Sequence, residues 1–180
     1  MLAGNVWLYH SYDIIIYNVY MLYFYRLFEV KFNKYLVLAF FPILWGACIY
    51  NLIKLDAALM DELMVFYPIL GSLLIFICCC LYFYEVINTD KFYFFKYSLD
   101  LWIIIGTLTF HLLYTPIIIF QTILGLEHPV FQFILQFSNI LYYGCFILGF
   151  IINAKYGEKV ERERSRLRTV SRAKAIRQKM

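Results

Sequence analysis

Only 16% of the 180 residues are charged and 63% are hydrophobic, and the formal net charge is +4. A water-soluble domain is about 45–50% apolar and about 25% charged, and a globule this short with the present composition would expose apolar patches large enough to aggregate. The composition therefore excludes an ordinary soluble domain and points to an integral membrane protein lying almost wholly in the bilayer.

Taken in chain order, the first apolar element covers about residues 6–25 and opens "WLYHSYDIIIYNVY". No basic region precedes it and no small-residue cleavage site follows it, so it is expected to remain as a membrane helix rather than to be removed as a signal peptide. Four further stretches, near 35–53, 65–84, 99–123 and 130–153, also reach the roughly 20 apolar residues that a spanning helix needs. The separators are "RLFEVKFNK", "KLDAALMDELM", "EVINTDKFYFFKYS" and "GLEHP". In the third, "DKFYFFKYS" alternates charge with aromatic residues and is expected to lie on the membrane surface. Tyr and Trp gather where membrane meets water, so "YMLYFYRLF" and "LYFYEV" are expected near one interface. The predicted fold is all-α, a polytopic bundle of five transmembrane helices over residues 1–153, followed by a basic helical tail over 154–180.

Charge orients such a bundle. Fifteen of the sixteen Lys and Arg residues fall in the first separator, the third separator and the tail, which five spans place on one side. The opposite side holds only Lys54, beside Asp56, Asp61 and Glu62. The positive-inside rule then puts the amino terminus outside and the tail in the cytoplasm, in a membrane expected to be the bacterial cytoplasmic membrane. The tail has ten basic and three acidic residues, a net of +7. Arg162, Arg164, Arg166, Arg168, Arg172, Lys174, Arg177 and Lys179 are its candidates for contact with anionic lipid of the inner leaflet or with an acidic cytoplasmic protein. Nucleic acid is a poor fit to so apolar a chain.

The polar residues inside the spans fall into stripes. At about 100° per residue, His10, Asp13 and Tyr17 lie within about 60° of one another. Asp100, Thr107, His111 and Tyr114 share a stripe on the fourth span, and Gln132, Gln136, Asn139 and Tyr143 share one on the fifth. An Asp at the centre of a membrane helix disfavours insertion by roughly 2.5–3.5 kcal/mol, so these stripes are expected to face one another inside the bundle. Matching depths would gather His10, Asp13, His111, Gln132 and Gln136 into an outward-facing pocket that binds a ligand or senses protons, with Asp100 as a separate polar group near the inner side. The structural alternative is that these groups bond neighbouring helices, for about 0.6 kcal/mol each on average. No HxxxH or HExxH spacing suggests a metal, and no GxSxG elbow or glycine-rich phosphate loop suggests catalysis. The residues name no cofactor. The five cysteines all lie in apolar runs without a CxxC pair, as expected of small buried side chains.

The segments "WLYHSYDIIIYNVYMLYFYRLF", "LGSLLIFICCCLYFYEVIN", "DLWIIIGTLTFHLLY" and "FSNILYYGCFILGF", in that order, resemble a group of small uncharacterised multi-pass membrane proteins of Bacteroidota. They are also similar to the membrane input regions of some sensor kinases. The resemblance covers about residues 6–150 and implies that further membrane helices precede the first one. It departs where the group carries a Gly-Asn pair and this chain reads "HLLYTP". It carries no catalytic residues over.

Three functions are consistent with these features. The first is a non-enzymatic membrane module that senses or couples to a partner. The second is a structural or accessory subunit of a larger membrane complex. The third is a transporter or an insertase, although insertases use a positive residue in a membrane groove and no span here holds one. The charge asymmetry makes the orientation testable. Protease added to intact cells should leave the tail uncut and reach the second separator, whereas cleavage of the tail from outside would invert the orientation.

Overall fold

The computed structural model describes residues 6–53, 60–88, 97–123 and 129–177. The side chains of residues 6–10, 51–53, 60–65 and 122–123, and most of those beyond Glu158, lie outside the description. Residues 54–59 of the second separator, most of the third and "GLEH" fall there too, as does the side chain of His10. The described chain forms five helices: α1 (Val6–Leu27), α2 (Lys31–Ile53), α3 (Met60–Ile87), α4 (Leu99–Ile118) and α5 (Pro129–Arg177). There is no strand among the described residues.

Four of the helices are long and apolar enough to cross a membrane, over Lys31–Tyr50, Phe66–Ile87, Leu99–Gln121 and Pro129–Glu158, which makes this a multi-pass membrane protein. Among the described residues the expectation of five such helices is met for four. With 22 residues α1 has the length, but His10, Asp13, Asn18 and its many tyrosines dilute its apolar character. The last helix runs unbroken from the apolar stretch through the basic segment to Arg177.

The packing follows chain order. α1 lies against α2 and α3, α2 against α3, α3 against α4, and α4 against α5, the last pair forming the most extensive contact. Outward faces carry large apolar side chains such as Ile15 and Leu22 on α1, Ile43 and Trp45 on α2, and Ile147 and Ile151 on α5. Lipid is as apolar as these side chains, so their exposure to it costs little. The buried set is more aromatic and more polar. Tyr17, Tyr20, Met21, Phe24 and Phe28 of α1 and its following turn meet Val37 and Leu44 of α2 and Ile75, Cys78, Cys79 and Tyr82 of α3. Much of the aromatic sequence expected at an interface is thus core, because Tyr20, Phe24 and Tyr82 point inward, while Tyr84 remains 69% exposed.

The α1–α2 turn is held from a third helix. Glu85 of α3, only 3% exposed, accepts the Glu29 backbone N–H at 2.7 Å and the Asn33 side-chain amide at 2.9 Å. A carboxylate at that position suits the positive end of α2. Near the far end of α4, Pro116 cannot donate a backbone hydrogen bond, and the helix widens into a π-helical turn over Ile119–Ile123.

Glycine sets the closest approach. A Cβ on Gly106 of α4 would stand 2.9 Å from the Cys145 Cβ and 3.2 Å from the Tyr142 carbonyl oxygen of α5. One on Gly149 of α5 would stand 2.9 Å from the Trp102 Cβ of α4. The two helices meet nearly backbone to backbone, as small residues allow in membranes. By contrast, a Cβ on Gly46 or Gly144 would touch nothing within 4 Å. Gly106→Val should therefore lower the stability of the detergent-solubilised protein by about 1–3 kcal/mol. Gly144→Ala should change it by no more than about 0.5 kcal/mol. Equal unfolding midpoints for the two variants would show that the hairpin does not depend on the close approach.

Candidate functional site

The centre of the bundle is a series of hydrogen bonds made by three tyrosines of α1. Tyr17, Tyr20 and Tyr23 recur every three residues, so they share a face and descend the helix about 4.5 Å at a time. Each reaches a polar group on another helix. Because α4 runs the opposite way, its partners appear in reverse order: His111, Thr107, Asp100.

At the first level the Tyr17 hydroxyl lies 3.0 Å from the Pro68 carbonyl, to which it donates, and 3.2 Å from Ser72 Oγ. Ser72 Oγ in turn lies 2.9 Å from His111 Nδ1. Gly71 makes this possible, since a Cβ there would stand 2.8 Å from carbons of the Tyr17 ring. The ring lies flat across α3 and its hydroxyl meets the backbone on one side and serine on the other. His111 is 5% exposed and sits between the Tyr17 and Tyr20 rings, at centroid distances of 6.1 and 6.0 Å. Among the described residues its other ring nitrogen has no hydrogen-bond partner.

At the second level the Tyr20 hydroxyl is hydrogen-bonded to the Tyr142 hydroxyl of α5 and receives a hydrogen bond of 3.4 Å from Thr107 Oγ1. At the third, the Tyr23 hydroxyl donates to Asp100 Oδ1 at 2.9 Å, and Ser98 Oγ donates to Oδ2 at 3.3 Å. Asp100 lies in the first turn of α4, where the helix favours an anion. A phenol is long enough to span the gap between helices whose backbones stand apart. No Cα of α1 approaches α4 within 8 Å among the described residues, yet the two helices are tied at all three levels.

Compared with known proteins, the chain matches no family model, no curated protein and no solved structure.

The expected pocket is only partly assembled. Asp100, Thr107, His111 and Tyr114 do face inward, as their stripe implies. Asp13 is half-buried but makes no hydrogen bond among the described residues. His111 bonds Ser72 rather than Asp13. Gln132 and Gln136 do not join the cluster. Both are exposed, because α5 turns the opposite face of its cylinder toward α4. The α5 residue that enters the site is Tyr142, next to the stripe and not on it. His10 is placed on α1 by its backbone alone. In the tail Arg162 bonds Glu158 at 3.3 Å in an exposed pair. The side chains of Arg164, Arg166, Arg168, Arg172, Lys174 and Arg177, and all of Lys179, lie outside the described residues.

Sequence reasoning missed Tyr20, Tyr23, Ser72 and Glu85. The three-residue recurrence of tyrosine on α1 was the available signal for two of them. No pattern marked Ser72 or Glu85. Among the described residues no group of three or more His, Cys, Asp or Glu could hold a metal ion.

The pairing makes a specific energetic prediction. Ser72→Ala leaves a buried imidazole nitrogen without its partner and should destabilise the protein by about 1–3 kcal/mol. In a double-mutant cycle Ser72→Ala and His111→Leu should be non-additive by at least about 0.5 kcal/mol, while Asp13→Asn and His111→Leu should add. The reverse pattern in detergent unfolding would show that the acid, not the serine, is the partner of His111.

Proposed function

We propose that the chain is a non-enzymatic, multi-pass membrane module that couples the state of its buried polar core to a basic cytoplasmic arm. In this reading α1 is the fifth span, the amino terminus is outside and the tail is in the cytoplasm. The 22-residue length of α1 supports that reading, and so does the internal pairing of its tyrosines, which lowers the cost of placing so polar a helix in lipid. The one-sided distribution of Lys and Arg supports the orientation. The resemblance to sensor-kinase input regions is of the same kind.

The observation that carries the proposal is the bond between Tyr20 and Tyr142, taken with the continuity of α5. Tyr142 sits on a 49-residue helix that runs from the membrane to Arg177 without a break. From Tyr142 to Arg177 the helix extends about 52 Å, so a tilt of about 5° at the core would move its far end by about 4–5 Å. A ligand, a proton or a neighbouring protein that rearranged the tyrosine contacts would thereby reposition a segment of net charge +7 against anionic inner-leaflet lipid or an acidic partner.

Spin labels on two exposed positions, Leu22→Cys of α1 and Ile151→Cys of α5, would read this coupling in a Cys80→Ser background. Tyr20→Phe removes the hydroxyl that meets both Tyr142 and Thr107. It should shift or broaden the distance distribution between the labels in lipid vesicles, while Phe137→Leu on the exposed face of α5 should not. A distribution unchanged by Tyr20→Phe would leave the core and the arm uncoupled.

A further inference from the structure

α5 has a face that lipid alone does not suit. Of its apolar stretch Pro129–Glu158 only Ser138 and Gly149 are buried within the chain, whereas α3 buries half of Phe66–Ile87. Isolated apolar residues on that face are unremarkable in lipid. Gln136 and Tyr143 are different. Both are exposed, Tyr143 to 60%, and neither makes a hydrogen bond among the described residues. Tyr143 stands at the middle of the stretch, far from either interface where tyrosine is at home. Amide and phenol groups left unpaired in hydrocarbon are costly, and a partner helix is the usual remedy.

We infer that this face is the interface of a parallel homodimer, in which a second copy of the chain lies against α5. The chemistry selects that occupant. Two copies inserted with the same orientation are related by a two-fold axis along the membrane normal, so residues near the axis meet their own counterparts at the same depth. Only side chains that both donate and accept hydrogen bonds can pair in that way, and a Gln amide and a Tyr hydroxyl each do. A carboxylate or an ammonium would meet a like charge. From Pro129 to Ala154 α5 carries no charged residue at all. Gln136, Asn139 and Tyr143 are spaced by three and four residues, the repeat that keeps one seam against a neighbouring helix. Where the tails emerge, Glu158 pairs with Arg162 of its own helix, which moderates repulsion between the first exposed turns of the two copies.

The inference does not require that the buried tyrosines couple the helices, and its test is separate. Full-length chains labelled at the carboxy terminus with donor or acceptor dye would be mixed in phosphatidylcholine vesicles and diluted with lipid. Energy transfer should exceed the random-proximity level and fall along a binding curve. The double variant Gln136→Leu, Tyr143→Phe should weaken association at least tenfold. Both residues are exposed, so the variant should keep its helix content. The single change Tyr143→Phe, with a smaller expected loss, serves if it does not. Ile43→Ala, on the exposed face of α2, should leave association unchanged. Transfer at the random level at every dilution, transfer insensitive to the double variant, or association that appears only when another protein is added would each overturn the homodimer.

Discussion

A polar atom inside hydrocarbon has no water to turn to, and the fold is arranged around that constraint. α1 carries His10, Asp13, Asn18 and six tyrosines within 22 residues. The phenols of Tyr17, Tyr20 and Tyr23 are satisfied by Ser72, Thr107, Tyr142, Asp100 and the Pro68 carbonyl, drawn from three other helices. Leaving one buried polar group unpaired costs about 1–3 kcal/mol, so an α1 that pulled away from the bundle would forfeit several such terms together. Lipid is as good a solvent for Leu and Ile as another helix is, and hydrophobic burial alone would not hold these helices to one another. Directional bonds supply the order, and apolar side chains fill the space between them.

The same constraint explains the use of glycine. Gly71 lets the Tyr17 ring lie across α3, where its hydroxyl reaches two partners. Gly106 and Gly149 bring α4 and α5 so close that Tyr142 is delivered to Tyr20 of α1 from the far side of the bundle. Close packing of α4 on α5 and the hydrogen bonds of α1 are therefore parts of one arrangement. At the end of the bundle that holds the α1–α2 turn, two carboxylates complete it. Asp100 takes the last tyrosine, and Glu85 takes the turn itself through Glu29 and Asn33.

α5 serves two environments. One face is committed to α4 and, through Tyr142, to α1. The other presents Gln136 and Tyr143 outward, Tyr143 near the middle of the apolar stretch. Beyond the apolar stretch the same helix continues as a charged rod to Arg177. One unbroken element thus joins the hydrogen-bonded core, an outward polar face and the basic end of the chain.

Several of these features could be read from the residues in order. Runs of about 20 apolar residues name membrane helices because backbone hydrogen bonding in lipid leaves little else possible. The inward stripe of α4 was legible for a related reason, since helical period places Asp100, Thr107 and His111 on one side whatever surrounds them. Period does not say which side meets a neighbour, and there the reading of α5 failed. Gln132, Gln136 and Tyr143 share a face as expected, but Gly106 and Gly149 dock α4 on the opposite one. The partners of the α1 tyrosines lie about 50 to 120 positions away in the chain, and no local pattern encodes such pairs. Composition and period are properties of a segment. Which polar group satisfies which other is a property of how the segments pack, and only the assembled bundle decided it.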